Sequence, residues 1–304
     1  MPAVGAGMRL DHFLAKRFPD FSRTRLARGI RAGKVCLDGR VLRAGYRVRE
    51  GEVLAIGIEG IAPSTAPPPL PPVLYEGDGL VVLDKPTGLL CHPAGSAFTW
   101  AVVGLARERW PTIELVHRID RDTSGCLALT TDPELNRILK LAVLEGRAEK
   151  TYLAICKGAI PWDEAVLDGS IGFAEGEIRI QMAVRPDGKH ARTDVTVLER
   201  RGELSLVRCR IHTGRTHQIR VHLAHAGFPL LGDRLYGVDP EVFLDSLEIG
   251  PTGRTFEATG APRHALHAHE LVLPLPSGPV TVQSPLAPDL QRWWDDPSVL
   301  PHDP

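Results

Sequence analysis

The sequence predicts an α+β protein with a mixed, mostly antiparallel central sheet flanked by helices and loops, preceded by a small α/β domain. The first observation is that strand-like segments outnumber helical ones and do not repeat as βαβ units. The second is the proline-rich run IAPSTAPPPLPP at residues 61–72, which favours an extended linker because proline supplies no ladder hydrogen bonds. We therefore expect a small domain at residues 8–58, a linker at 59–72 and a larger domain at 73–290.

The composition is that of an ordinary globular protein, with 43% hydrophobic and 24% charged residues among 304. No apolar run approaches the roughly 20 residues of a spanning helix, and the N-terminus lacks the apolar segment of a secretory signal. Five scattered cysteines without a Cys-x-x-Cys pair favour reduced thiols over a disulfide framework. We therefore expect a cytoplasmic protein with no membrane partner, and we expect it to be a monomer.

The small domain has the pattern of two helices followed by short strands. Apolar residues that begin at Leu10 have the spacing of an amphipathic helix, and Leu26 and Ile30 form the apolar stripe of a second one. An Asp-Gly pair at Asp38 and Gly39 predicts the turn between two short strands. These elements are enough for a compact unit with its own small core.

Positive charge is concentrated in this unit. Residues 8–58 contain 12 lysines and arginines against 5 acidic residues, whereas the whole chain has a net charge of −1. Such asymmetry indicates a polyanion-binding domain, although arginines on one helix face are also typical of a solvated surface. The candidate binding residues here are Arg25, Arg28, Arg31 and Lys34.

The larger domain contains several strand patterns and two well-marked helices. Asp132 and Pro133 supply the cap and first position of one helix. The second helix, HQIRVHLAHAG, follows the loop HTGRT and is ended by Gly227. The predicted strands are GLVVLDKPTG, IELV, CLALTT, KTYLAIC and LSLVRCRI.

The most polar segment is HRIDRDTSG at residues 117–125, between the predicted strands IELV and CLALTT. Aspartate, threonine, serine and glycine are ordinary turn residues, so a charged surface hairpin is one interpretation. Polar groups at the ends of strands are also where a rigid scaffold can hold catalytic side chains. On that second interpretation, Arg118 and Asp120 are candidate site residues.

Two further groups of candidates lie at strand ends. Tyr152 is on one face of KTYLAIC, where a lone tyrosine can equally be a packing residue. Arg215 and His217 belong to a loop that enters a helix, a place where backbone N–H groups and the helix dipole suit a phosphate. Arg220 is in the first turn of that helix and should lean back toward the loop, where it could hold an aspartate in a bidentate ion pair.

Several histidines lie near one another in the sequence, which raises the question of a zinc site. Their spacings do not match a helical zinc pair, and no nearby acid or thiolate completes a familiar pattern. Glycine-rich loops of the dinucleotide or P-loop kind are absent from the sequence. We therefore expect neither a metal nor a cofactor.

Taken in order, these segments resemble the RluA-type pseudouridine synthases, which isomerise uridine in RNA. Residues 8–58 are similar to the alpha-L RNA-binding domain that ribosomal small-subunit protein four also contains. Ile119 departs from the family pattern, in which leucine is frequent at this position. The matching segments are HRIDRDTSGCLALTTD, KTYLAI, GKHARTDVTVLE, TGRTHQIRVHLAHAGFPLLGDRLYG and HALHAHELVLPLP.

This resemblance implies a pseudouridine synthase core in the larger domain and assigns roles to the candidates. Asp120 would be the catalytic aspartate, acting as a nucleophile or as a base, with Tyr152 and Arg220 as its companions. Arg118 would help to hold the target base out of its stack. The implied RNA-binding residues are Arg118, Arg215, His217, Arg25, Arg28, Arg31 and Lys34.

The implied partner is RNA, with large-subunit ribosomal RNA favoured and transfer RNA as an alternative target. The isomerisation breaks one bond to the sugar and forms another without net redox change or hydrolysis, so it requires no cofactor. Two other classes stay open at this point. One is a non-catalytic RNA-binding assembly factor with the same fold, and the other is a zinc hydrolase that uses the histidines.

Overall fold

The computed structural model describes residues 7–18, 21, 23–58, 67–92, 100–248 and 253–300. Part of the expected linker, at residues 59–66, lies outside them. The helices are α1 (Leu10–Arg17), α2 (Arg23–Arg31), α3 (Val102–Arg109), α4 (Pro133–Leu144), α5 (Gln218–His225), α6 (Pro240–Glu248), α7 (Gly253–Thr259), α8 (Pro288–Asp295) and a 3-10 helix at Pro297–Val299. The strands are β1 (Val35–Leu37), β2 (Arg40–Val41), β3 (Leu54–Ile56), β4 (Val73–Gly77), β5 (Leu80–Lys85), β6 (Glu114–Leu115), β7 (Ser124–Thr130), β8 (Glu149–Lys157), β9 (Glu164–Asp168), β10 (Ile171–Phe173), β11 (Met182–Val184), β12 (Arg192–Arg201), β13 (Leu204–Ile211), β14 (Leu266–Leu275) and β15 (Gly278–Gln283).

The N-terminal unit has the elements that the sequence predicts. Helices α1 and α2 pack on a three-stranded antiparallel sheet of order β2-β1-β3, and the two helices share one apolar core with that sheet. The buried Asp11 carboxylate forms ion pairs with two arginines of this unit. Its Oδ1 is 3.1 Å from Nε of Arg9, and its Oδ2 is 2.9 Å from Nη2 of Arg23. Burial alone would raise the pKa of Asp11, but the two arginines outweigh it and lower that pKa to about 2.

A ten-stranded sheet forms the centre of the larger unit. Its main path is β4-β5-β7-β14-β8-β13-β12-β9, with β15 paired to β14 and β6 paired to β7. Among the described strand pairs of this sheet, β7 and β14 run parallel and the others run antiparallel. The predicted mixed, mostly antiparallel sheet and the α+β class are therefore confirmed.

Helices cover both faces of this sheet, as the alternation of buried side chains along its strands requires. On β8, Ala154 packs with helix α5 and its neighbour Ile155 packs with helix α8. On β7, Ala128 packs with α4 and Leu129 packs with α3. None of the helices in the described part of the chain is both long and apolar enough to cross a membrane.

The segment HRIDRDTSG connects β6 to β7, which pair antiparallel, so the hairpin interpretation is correct in topology. The segment is not a solvated surface turn, because Thr123 and Ser124 are buried and hydrogen-bond to His264 at 2.9 Å and His267 at 3.0 Å. The predicted strand IELV is shorter than expected, since only Glu114–Leu115 is extended and paired.

Gly125 ends this segment at the point where β7 meets β14. Its φ is +103°, and a Cβ added there would lie 2.2 Å from the carbonyl oxygen of Ala268. A side chain would therefore force apart the one parallel pairing described in the sheet, which begins at Ser124 and His267. Backbone atoms cannot move aside as the tip of a flexible side chain can.

We predict that Gly125→Ala lowers the free energy of unfolding by at least about 2 kcal/mol, from backbone strain together with the clash. Chemical denaturation measures this change. The matched control is Gly104→Ala, because Gly104 lies inside α3 with open space at its Cβ position. That substitution should stabilise the protein by about 0.5–1 kcal/mol. Equal effects of the two substitutions would contradict the prediction.

Candidate active site

One cavity of about 950 Å³ opens beside strand β8, between the segment that follows β6 and the loop that precedes α5. The structure brings together in its lining all six candidates that the sequence places in the larger domain. The four candidates of the N-terminal unit do not line it. The six lining residues are Arg118, Asp120, Tyr152, Arg215, His217 and Arg220.

The backbone of the segment that contains Asp120 is hydrogen-bonded to a buried lysine. Lys85 is fully buried at the end of β5, and its ammonium donates to the carbonyl oxygens of Arg121 and Leu89 at 2.8 Å and of Pro86 at 2.9 Å. Burial lowers the pKa of Lys85 to about 8, so it still carries a proton at neutral pH. This contact fixes the backbone next to Asp120.

The Asp120 carboxylate is partly open to the cavity and is held by an arginine. Its side chain is 31% exposed, and its Oδ2 accepts a hydrogen bond of 3.1 Å from Nη1 of Arg220. Arg220 lies in the first turn of α5, as the sequence predicts, and it is buried there. The ion pair leaves part of the carboxylate accessible to a ligand in the cavity.

The bidentate partner of Arg220 is a different residue, Asp233. Nε and Nη2 of Arg220 donate to the two carboxylate oxygens of Asp233 at 2.7 and 2.9 Å. The Asp233 side chain is fully buried. The backbone N–H groups of Leu235 and Tyr236 donate to the same carboxylate. Burial alone would lower the pKa of Arg220, but Asp233 and Asp120 raise it above its ordinary value, so the guanidinium stays charged. The sequence interpretation that Arg220 could form a bidentate pair is correct, but it did not name Asp233.

His217 is largely shielded from solvent and lies beside the ion pair of Arg220 with Asp120. Its φ is +55°, a left-handed conformation that orients the residue just before α5. Its Nδ1 hydrogen-bonds to the Tyr236 hydroxyl at 2.7 Å, and its Nε2 is 4.0 Å from Oδ2 of Asp120. Burial and the nearby Arg220 lower the pKa of His217, so the imidazole is neutral at pH 7.

Tyr152 lines the cavity from strand β8 and is buried in the core cluster that includes α5. Burial and the negative charge of Asp120 raise the pKa of Tyr152 well above its ordinary value. The side chain is therefore a neutral phenol at physiological pH. A flat, neutral ring in this position can stack on a base, but it cannot hold negative charge as a phenolate.

The loop before α5 is fixed by Gln218, whose role was not predicted from the sequence. Its side-chain oxygen accepts from the Thr213 hydroxyl at 2.7 Å and from the Arg215 backbone N–H at 3.1 Å. Its amide nitrogen donates to strand β12, at the Thr193 hydroxyl and the Arg192 carbonyl oxygen. Nε of Arg215 in turn donates to the carbonyl oxygen of His190. The helix begins at Gln218, one residue later than predicted.

The other histidines of this region have separate hydrogen-bond partners. His212 contacts Asp194 at 2.7 Å, and His222 contacts the Thr193 hydroxyl and the Gly169 carbonyl oxygen, each at 3.0 Å. In the part of the chain that the structure describes, no three or more histidine, cysteine or acidic side chains are grouped so that they could hold a metal ion.

Comparison with known proteins identifies the family. The protein-family model described as "RNA pseudouridylate synthase" matches residues 79–225, and the family model described as "S4 domain" matches residues 8–54. The chain is 35% identical to "ribosomal large subunit pseudouridine synthase D" of Xanthomonas campestris pv. campestris, over 96% of this chain and 89% of that protein. The chain belongs to the RNA pseudouridylate synthase family. The resemblance of the sequence motifs to the pseudouridine synthases is therefore confirmed.

Two further relatives agree with this assignment. A protein of the same name from Pseudomonas aeruginosa is 37% identical over 95% of this chain and 92% of its own length. The solved structure "Human RNA Pseudouridylate Synthase Domain Containing 1" superposes with a TM-score of 0.58 and 26% identity, covering 76% of this chain and 88% of that one. As a pseudouridine synthase, the chain is an isomerase that acts on RNA.

We predict that Asp233→Asn lowers kcat/KM at least tenfold and the free energy of unfolding by about 3 kcal/mol or more. Asparagine cannot accept both Arg220 hydrogen bonds, so the guanidinium loses a charged partner and its fixed orientation. Asp289→Asn is the matched control, since Asp289 forms a bidentate pair with Arg263 and does not line the cavity. Steady-state kinetics on RNA should be unchanged in that control. Wild-type kinetics in Asp233→Asn would contradict the prediction.

Proposed function

We propose that this enzyme converts specific uridines of large-subunit ribosomal RNA to pseudouridine, with Asp120 as the catalytic residue. The main support for the catalyst is the contact of Asp120 with Arg220 in a cavity that Tyr152 also lines. The support for the RNA is that relatives 35% and 37% identical over nearly the whole chain are named ribosomal large subunit pseudouridine synthase D. Transfer RNA is the alternative target.

The reaction breaks the bond between uracil nitrogen 1 and the sugar's anomeric carbon, turns the base and joins its carbon 5 to the same sugar carbon. A carboxylate promotes this either by attacking the sugar carbon or by removing a proton next to it. Asp120 is partly exposed to the cavity and suits both roles, while Arg220 holds its orientation. Carbon 5 loses a proton and nitrogen 1 gains one, so the product is an isomer of the substrate and the reaction needs no redox partner.

The cavity is large enough to take a nucleotide that has left its stack. Its volume of about 950 Å³ lies at the upper end of the usual range for ligand pockets. Extruding a base costs a few kcal/mol, and stacking on an aromatic ring offsets part of that cost. We assign the stacking role to the neutral Tyr152 and assign to the exposed Arg118 the task of keeping the base extruded.

We further propose that residues 8–58 bind RNA phosphates for the core at residues 73–290, with 59–72 as the linker, and that the enzyme acts as a monomer. Arg28, Arg31 and Lys34 are exposed at and just after helix α2, and the Arg25 guanidinium lies over the Phe21 ring. Arg215 and His217 would contact RNA at the cavity. Exposed cations of this kind add affinity without sequence preference.

We expect Asp120→Asn to lower pseudouridine formation by at least about a thousandfold, because it removes the carboxylate that the chemistry requires. The RNA dissociation constant should change less than twofold. The assay incubates purified protein with ribosomal and transfer RNA transcripts and maps pseudouridine by selective chemical modification and primer extension. Asp122→Asn, in the same segment but outside the cavity lining, is the control that should stay active. An active Asp120→Asn enzyme would overturn the assignment of the catalyst, and activity on transfer RNA alone would overturn the assignment of the target.

The role of the N-terminal unit predicts a change in salt dependence. Replacing Arg28, Arg31 and Lys34 together by alanine should reduce the slope of log affinity against log salt by about 2 to 3, since each phosphate contact contributes about 0.7–0.9. The rate at saturating RNA should not change. Fluorescence anisotropy over a range of salt concentrations measures the slope. An unchanged slope would show that these side chains do not bind phosphates.

A further inference from the structure

Lys150 is a buried lysine in the active-site cavity whose charge the proposed chemistry does not use. It lies on strand β8 with only 4% of its surface exposed, and it lines the cavity together with Tyr152. Among the described residues, its ammonium has no hydrogen-bond or ion-pair partner. Lys85 is fully buried but donates to three carbonyl oxygens, so burial of a lysine in this fold does not by itself leave it unpaired.

The carboxylates that line the cavity, and that of Glu149 next to Lys150, are paired with other cations, and Glu114 lies 3.6 Å from the Lys140 ammonium. Asp120 pairs with Arg220, and the neighbouring Glu149 pairs with Arg210 at 2.9 Å. Burial lowers the pKa of Lys150 to about 8, which still leaves it mainly protonated at pH 7. An unpaired buried cation destabilises a folded protein. This lysine therefore lacks a counter-ion in the free enzyme.

The ammonium of Lys150 faces a loop that favours anions. A Cβ added to Gly214 would lie 3.6 Å from its Nζ, and Gly214, Arg215 and Thr216 line the same cavity. This loop leads into the N-terminus of α5, where the helix dipole is positive. The backbone N–H groups of Gly214 and Thr216 have no hydrogen-bond acceptor among the described residues. The absence of a side chain at Gly214 leaves room for a ligand beside the ammonium.

We propose that Lys150 binds a phosphate that flanks the target uridine, while Tyr152 contacts the base of that nucleotide. Two residues on one face of a strand are about 6.6 Å apart along the chain, so these side chains can contact different parts of one nucleotide. An anion is favoured over a uracil carbonyl group because a phosphate supplies the missing counter-charge and also suits the loop N–H groups. This inference rests on the proposed function, since it requires a nucleotide in the cavity.

The first test replaces Lys150 by methionine, which has a similar length and no charge. We expect KM for the RNA to rise at least tenfold with kcat changed much less, as for an interaction made equally in the ground and transition states. The Tm of the free enzyme should rise, because an uncompensated buried charge is removed. The control is Lys157→Met on the same strand, outside the cavity lining, where Lys157 donates to the Ala258 carbonyl oxygen. That variant should keep the wild-type KM and show no increase in Tm.

The second test neutralises the RNA instead of the protein. A methylphosphonate replaces the linkage on the 5′ or the 3′ side of the target uridine in a ribosomal RNA fragment. At one of these positions the methylphosphonate should lower kcat/KM about tenfold for the wild type and less than twofold for Lys150→Met. The two losses are not additive, because the RNA change and the protein change remove the same contact. Equal losses in the two enzymes at both positions, or a wild-type KM in Lys150→Met, would overturn this inference alone. If the wild type forms no pseudouridine in unmodified RNA, the proposed function fails and this inference fails with it.

Discussion

The active site depends on two linked ion pairs, in which the buried Arg220 lies between the buried Asp233 and the partly exposed Asp120. The inner carboxylate is fully buried and accepts both a bidentate guanidinium and two backbone N–H groups, so it cannot rotate. The outer carboxylate receives a single hydrogen bond and remains partly exposed. This asymmetry fixes the position of Asp120 and still leaves it available to react, which a symmetric pair would not do.

The sheet supplies the rigid frame around these charges. Strand β8 carries Tyr152 on the face that packs with α5, and the segment with Asp120 connects β6 to β7 in the same sheet. A buried polar side chain holds each of two loops at the site by hydrogen bonds to the backbone. Lys85 donates to the carbonyl oxygen of Arg121, next to Asp120, and Gln218 accepts from the backbone N–H of Arg215. Satisfied buried polar groups of this kind order the backbone, because breaking them exposes unpaired groups to a low-dielectric interior.

The sequence predicted the elements that local periodicity and caps determine, including α1, α2, α4 and the strands around Tyr152. It also predicted that Arg220 leans back toward its loop, since the direction of side chains in a first helical turn is a local property. Asp233 and Gln218 were not singled out, because their roles depend on contacts with distant strands and loops. A buried arginine needs a charge partner, and GDRLYG at residues 232–237 contains an aspartate, but nothing in the spacing places it beside Arg220.

The most direct measurement is pseudouridine mapping of total RNA from cells with and without this gene. The account predicts that modifications at specific uridines of large-subunit ribosomal RNA disappear with the gene. They should return when the wild-type chain is expressed and stay absent when the Asp120→Asn chain is expressed at the same level. An unchanged map in the absence of the gene, with related synthases also removed, would contradict the account, as would restoration of the modifications by the Asp120→Asn chain.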